Sequence, residues 1–226
     1  HRSTLMIEIA LVVSRWLQFA AAAILCGAPA FLLYGIQKTS ARDARWANRL
    51  VLGATLLGIA AAILMLLAQS AEMSGDAASA FKPDVVWGVL SDTYFGAVWT
   101  VRFVLLIAMG ALVMALPVGR ARWMALTAAG GLIAASLAWM GHGREGGGAL
   151  GAAHLFADVF HALAASVWIG ALVVMLRLLS RAAWGGRDET VAAAHGLARF
   201  SGIGSLVVAT LLVTGVVNAW ALTAPH

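Results

Sequence analysis

Six long stretches of this chain, at 9–36, 50–70, 94–116, 123–140, 152–179 and 197–222, are apolar almost without interruption. Each is long enough to cross the roughly 30 Å hydrocarbon layer of a bilayer as a helix. Hydrocarbon offers the backbone no hydrogen-bond partner, so only helices or a closed barrel can lie in it. The stretches are rich in Ala, Leu and Gly and show no sustained period of two, which excludes a barrel. The fold class that follows is all-α: one polytopic transmembrane helical bundle of about six spans, with the lipid bilayer as its solvent. Composition agrees, because only 11% of the residues are charged, against about 25% in a soluble domain.

The formal net charge of +5 does not point to nucleic acid, because the charges sit in the short connections between apolar stretches. After the first stretch, Lys38, Arg42, Arg45 and Arg49 oppose Asp43, a net of +3. After the third, Arg120 and Arg122 give +2, and after the fifth, Arg177, Arg181, Arg187 and Arg199 oppose Asp188 and Glu189, again +2. The polar segment 71–92 carries −3, and the glycine-rich turn 141–151, with Arg144 and Glu145, is neutral. The positive-inside rule then puts both chain ends outside. The chain opens on His1 rather than Met, which reads as a missing or processed start, with the first span serving as insertion signal. Eight tryptophans (Trp16, Trp46, Trp87, Trp99, Trp123, Trp139, Trp184 and Trp220) fall near span ends, where interfacial anchoring accounts for nearly all of them. Cys26 lies alone inside the first span and reads as a packing residue.

With this topology, His142 closes the fourth span on the outer side, and His154, Asp158 and His161 enter the membrane on the fifth. Spacings of four and three residues put the last three on one helical face. His154 and His161 are then roughly 10 Å apart along the axis, whereas a metal–nitrogen bond is about 2 Å. The two rings therefore do not easily clasp one ion unaided. Two arrangements satisfy the spacing. Each His serves a different site along an inward path, or one joins His142 while Asp158 orients its ring, as a carboxylate does for a metal-binding imidazole. Ionisable groups within a membrane are costly and are functional candidates by default.

Met140, two residues before His142, and Met73, after the second span, are possible soft ligands on the same side. Imidazole with thioether suits copper, Cu(I) in particular, better than magnesium or calcium. Arg15 and Arg102 are the charges expected within the spans. Arg15 has Asp158 or Glu8 as prospective partners, and Arg102 either pairs or snorkels to the outer surface.

The stretch GHGREGGGALGAAHLFADVFHALAASVWIGAL, residues 141–172, resembles the CopD copper-resistance family, in which a GH ending one helix precedes H-x3-D-x2-H and a W-x-G segment. TYFGAVWTVR at 93–102 and SRWLQFAAAAILCGAPAFLLYG at 14–35 are similar to two further elements of that family. The resemblance implies a bacterial inner-membrane protein that handles copper, Cu(I) or Cu(II), drawn from the periplasm. It also implies a CopC-type periplasmic copper-binding partner. By motif position the copper ligands are His142, His154 and His161, with Asp158 in support. Family members commonly have eight spans against six here, which a trimmed chain or a short member would equally explain.

Copper binding and import is the leading expectation. The residues given contain no ATP-binding loop, so the drive falls to a gradient, the membrane potential or a partner. A b-type haem electron-transfer protein is an alternative, since membrane bundles hold haem between axial histidines on facing helices. A copper chaperone or assembly factor that binds without transport is another. A metal-activated hydrolase requires three convergent ligands and an open position, which the spacing permits without requiring.

Overall fold

The computed structural model describes residues 2–36, 39–139 and 148–223. Among these it holds no strand, and six helices are long and apolar enough to cross a membrane. The helices are α1 (Arg2–Tyr34), α2 (Ala41–Ser74), α3 (Pro83–Asp92), α4 (Tyr94–Ala115), α5 (Arg120–Ala138), α6 (Gly148–Trp184) and α7 (Arg187–Thr223). All but the short α3 are spans.

Several helices outrun their apolar stretches. α2 begins nine residues before the expected 50, where Ser40 caps it by accepting from the Asp43 amide, and it ends on Gly75 in the left-handed region at φ 69°. α7 likewise begins at Arg187 rather than 197. Hydropathy marks where hydrocarbon ends, whereas the helix continues into the polar interface until a cap or a glycine stops it. The polar segment 71–92 is also not plain loop. It holds a 3-10 turn at Ala77–Phe81 and the helix α3, which starts with Pro83 in its first turn. Asp76 caps the 3-10 turn; the Ala78 amide, and after it the Ser79 hydroxyl, hold its carboxyl below the usual carboxylate range.

α1 is the central helix, packed against α2, α5 and α6. In lipid there is little hydrophobic drive between helices, so close association depends on small residues that let backbones meet. A Cβ on Gly130 of α5 would lie 2.3 Å from the Leu25 carbonyl oxygen of α1. That carbonyl is the one Pro29, having no N–H, leaves without its helical donor. On the other side, a Cβ on Gly170 of α6 would lie 2.5 Å from the Ala28 nitrogen, and one on Gly27 would lie 2.0 Å from the Ser166 oxygen. Cys26 is buried at this crossing, as expected.

Contacts along the bundle fix its two ends. Ser14 meets Met65, Arg102 meets Ser136 and His161 meets Thr214 toward one end. At the other end Arg181 of α6 bridges Asp43 of α2 and Glu189 of α7, and Arg122 of α5 donates to Asn48 of α2 and to the Leu116 carbonyl. Three charges that the sequence offers only as topology markers thus clamp three helix ends together. Two tryptophans also depart from interfacial anchoring. Trp99 is buried, donates to the Ala62 carbonyl at 2.7 Å and stacks on Phe103; Trp123 is buried beneath the Arg122 guanidinium. Trp16, Trp87, Trp184 and Trp220 are exposed, as lipid or headgroup anchors should be.

Replacing Gly130 or Gly170 by Val should destabilise the bundle by about 1–3 kcal/mol, the usual range for overpacking. Gly53→Ala, where nothing lies within 4 Å of the added Cβ, should be neutral or slightly stabilising. Thermal unfolding in detergent micelles, compared across the three variants, checks this ordering.

Candidate metal centre

α6 carries His154, Asp158 and His161 on one face, as the spacing predicts, and presents them near the end of the bundle where α5 stops. The His154 Nε2 and Asp158 Oδ2 atoms are 3.7 Å apart. That is too long for a direct hydrogen bond and close enough for electrostatic attraction or a bridging water. About two turns further along α6, His161 turns to a different partner: its Nδ1 lies 2.9 Å from the Thr214 hydroxyl of α7. The two imidazoles therefore belong to separate environments on one helix. Among the described residues no three His, Cys, Asp or Glu side chains gather where one ion could be held.

A pocket of about 460 Å³ opens between α1, α5 and α6. Asp158 and His161 line it together with Trp16 and Phe19 of α1 and with Leu137 and Ala138, the last residues of α5. Apart from the acid and the imidazole its wall is mostly apolar, so a cation entering it would find few polar atoms to replace its hydration shell. Met140 and His142 lie outside the described residues. The clasp between His142 and a residue of α6 therefore stays an expectation.

Other expected residues are placed differently. Met73 is exposed at the end of α2. Met65, which the sequence did not single out, is buried and accepts the Ser14 hydroxyl on its sulfur at 3.3 Å. Arg15 is exposed rather than buried, and among the described residues it forms no ion pair, Asp158 being beside His154 instead. The reason lies in the α1 stripe Leu11, Ser14, Gln18, Ala21, Ala22 and Leu25, which faces the bundle and turns Arg15 away from it. Of the two arginines only Arg102 is buried, at 1% exposure, so it does not snorkel.

Arg102 is held by side chains that the apolar pattern conceals. Its Nε donates to the Ser136 hydroxyl at 2.8 Å, one terminal nitrogen to the Gln18 carbonyl oxygen at 2.6 Å, and the other to the Ser136 main-chain carbonyl at 2.6 Å. Ser136 is in the last turn of α5, where carbonyls lack helical donors. The guanidinium thus caps α5 from within the bundle and ties it to α1 and α4. An uncharged Gln and Ser inside apolar stretches were the available signal, but nothing in their spacing says that they meet one arginine.

Residues 6–152 match the family described as copper resistance protein D-like, N-terminal domain. The chain belongs to this family. It is similar to the copper resistance protein D of Pseudomonas syringae pv. tomato, with 29% identity over 212 residues, covering 90% of this chain and 66% of that protein. The chain thus spans just under two thirds of the length of this copper resistance relative. No solved structure matches it. The family match takes in α1 to α5 and ends before His154, Asp158 and His161. Membership in a copper resistance family and six apolar helices together make this a copper-related, multi-pass membrane protein.

Arg102→Met should leave the Gln18 and Ser136 acceptors unpartnered in low dielectric. The loss expected is about 1–3 kcal/mol of stability, with Arg102→Lys falling between the two. Unfolding of the purified protein in micelles, followed by helical circular dichroism, measures it.

Proposed function

We propose that this protein takes up copper from the periplasmic side of a bacterial inner membrane and passes it along α6. The observation that carries this reading is the pair of separate imidazole environments on one helix face. His154 beside Asp158 comes first, and His161 in the pocket wall lies about two turns further in. Conduction needs sites that bind well enough to admit an ion and weakly enough to release it. One or two protein ligands per station serve that better than a closed cage of four. His142 and Met140 would receive copper ahead of His154, and a CopC-type periplasmic protein would deliver it. The proposed orientation follows from loop charge, with both chain ends and the histidine end of the bundle outside. His154 and His161 share one helix, so a b-type haem would need His142 as the facing ligand of one of them.

Copper accumulation in vesicles holding the purified protein tests the transport reading. His154→Ala with His161→Ala should bring uptake down to the level of empty vesicles; equal uptake by wild type and double variant would end it. Copper bound without any uptake into vesicles would instead identify a chaperone-like or assembly role. Orientation is checked separately with a membrane-impermeant thiol reagent on intact spheroplasts. A cysteine placed at Ala78 should label, and one placed at Arg120 should label only after the membrane is opened.

A further inference from the structure

The contact between His161 and Thr214 settles more than the position of a ring. A threonine hydroxyl has one proton and two lone pairs. Here the proton is committed to α7 itself, since Thr214 Oγ1 lies 2.6 Å from the Thr210 carbonyl oxygen and 3.4 Å from that of Leu211. Toward His161, at 2.9 Å, the hydroxyl is therefore the acceptor, and Nδ1 of the imidazole is the donor. In the neutral ring a proton on Nδ1 leaves Nε2 with its lone pair. The ring's orientation follows from a second α7 residue: a Cβ on Gly215 would come within 3.9 Å of His161 Cε1. The edge formed by Nδ1 and Cε1 thus faces α7, and Nε2, the ring atom beyond Cε1, lies more than 4 Å from that Cβ. The pocket that His161 lines is walled by α1, α5 and α6, with no residue from α7.

We propose that Thr214 is the positioning residue of His161: it holds the imidazole in its Nδ1–H tautomer and leaves Nε2 as the donor atom offered to copper. The proposal rests on the reading of His161 as a copper station and adds which nitrogen binds and what selects it. It also gives α7 a part in the site. α7 packs chiefly on α6 and has the smallest buried share of the six spans, yet it supplies the buried hydroxyl that orients the ring. A metal-binding imidazole commonly donates its second N–H to such a partner, and removing the partner typically weakens metal binding about 10- to 100-fold.

The test begins without metal. Protein labelled with ¹⁵N-histidine, in micelles at about pH 8 where imidazole is neutral, should show His161, assigned by its loss in His161→Gln, with a protonated Nδ1 and an unprotonated Nε2. Thr214→Val, which keeps the shape and removes the acceptor, should lose this single tautomer, and Thr214→Ser should retain it. A wild-type ring protonated on Nε2, or ring shifts unchanged in Thr214→Val, would overturn the assignment. Cu(I) affinity is then measured against a coloured competing chelator. It should fall about 10- to 100-fold in Thr214→Val and stay near wild type in Thr214→Ser. A Thr214→Val protein with altered tautomer and wild-type affinity overturns Nε2 selection as the role of Thr214. Wild-type affinity in His161→Gln overturns the copper reading itself, whereas the metal-free spectra stand or fall on Thr214 alone.

Discussion

Within a bilayer a helix gains little by exchanging lipid for another apolar helix, so this bundle depends on how closely its backbones can approach. That approach is made around one turn of α1. Pro29 withholds an N–H from the Leu25 carbonyl, and α5 brings Gly130 against that oxygen. On the opposite side Gly27 and Gly170 allow α6 to lie directly on α1. Side chains at these glycines would push α5 and α6 away from α1, and the pocket between the three helices would lose its walls.

Above and below this crossing, polar groups do what apolar packing cannot. A buried polar atom in hydrocarbon must find a partner inside the protein, and a directional bond has one correct register. Arg102 thereby fixes the end of α5 against α1 and α4, and Trp99 fixes α4 against α2. At the other end Arg181 joins α2, α6 and α7. The result is a histidine end and an arginine end, each tied across several helices, with the crossing of α1 between them.

This scaffold explains why the imidazoles of α6 are kept apart. Helical rise separates His154 from His161, and different neighbours then complete each environment: a carboxylate on the same helix for one, a hydroxyl from α7 for the other. Copper enters the proposed reading of these residues through membership in a copper resistance family; helical spacing alone has no preference for a metal. What the geometry adds is two separate imidazole environments on one helix face.

Hydrophobic length, together with the absence of a two-residue period, determined that the chain is a bundle of six membrane helices, because only helices and closed barrels survive in hydrocarbon. The period of the helix likewise put His154, Asp158 and His161 on one face, since three- and four-residue spacings leave no other choice. Helix ends were less legible. Hydropathy reports the solvent and not the cap, so α2 and α7 run further than their apolar cores, and α3 was hidden in a polar segment. Only the tertiary structure decided which polar residues meet. Arg15 is turned out and Arg102 is buried although both stand in apolar stretches, and Gln18, Ser136 and Thr214 became partners across separations that no local pattern encodes. Those pairings are set by the relative rotation of whole helices. In lipid that rotation is selected by where glycines let backbones touch and where buried polar atoms find their bonds.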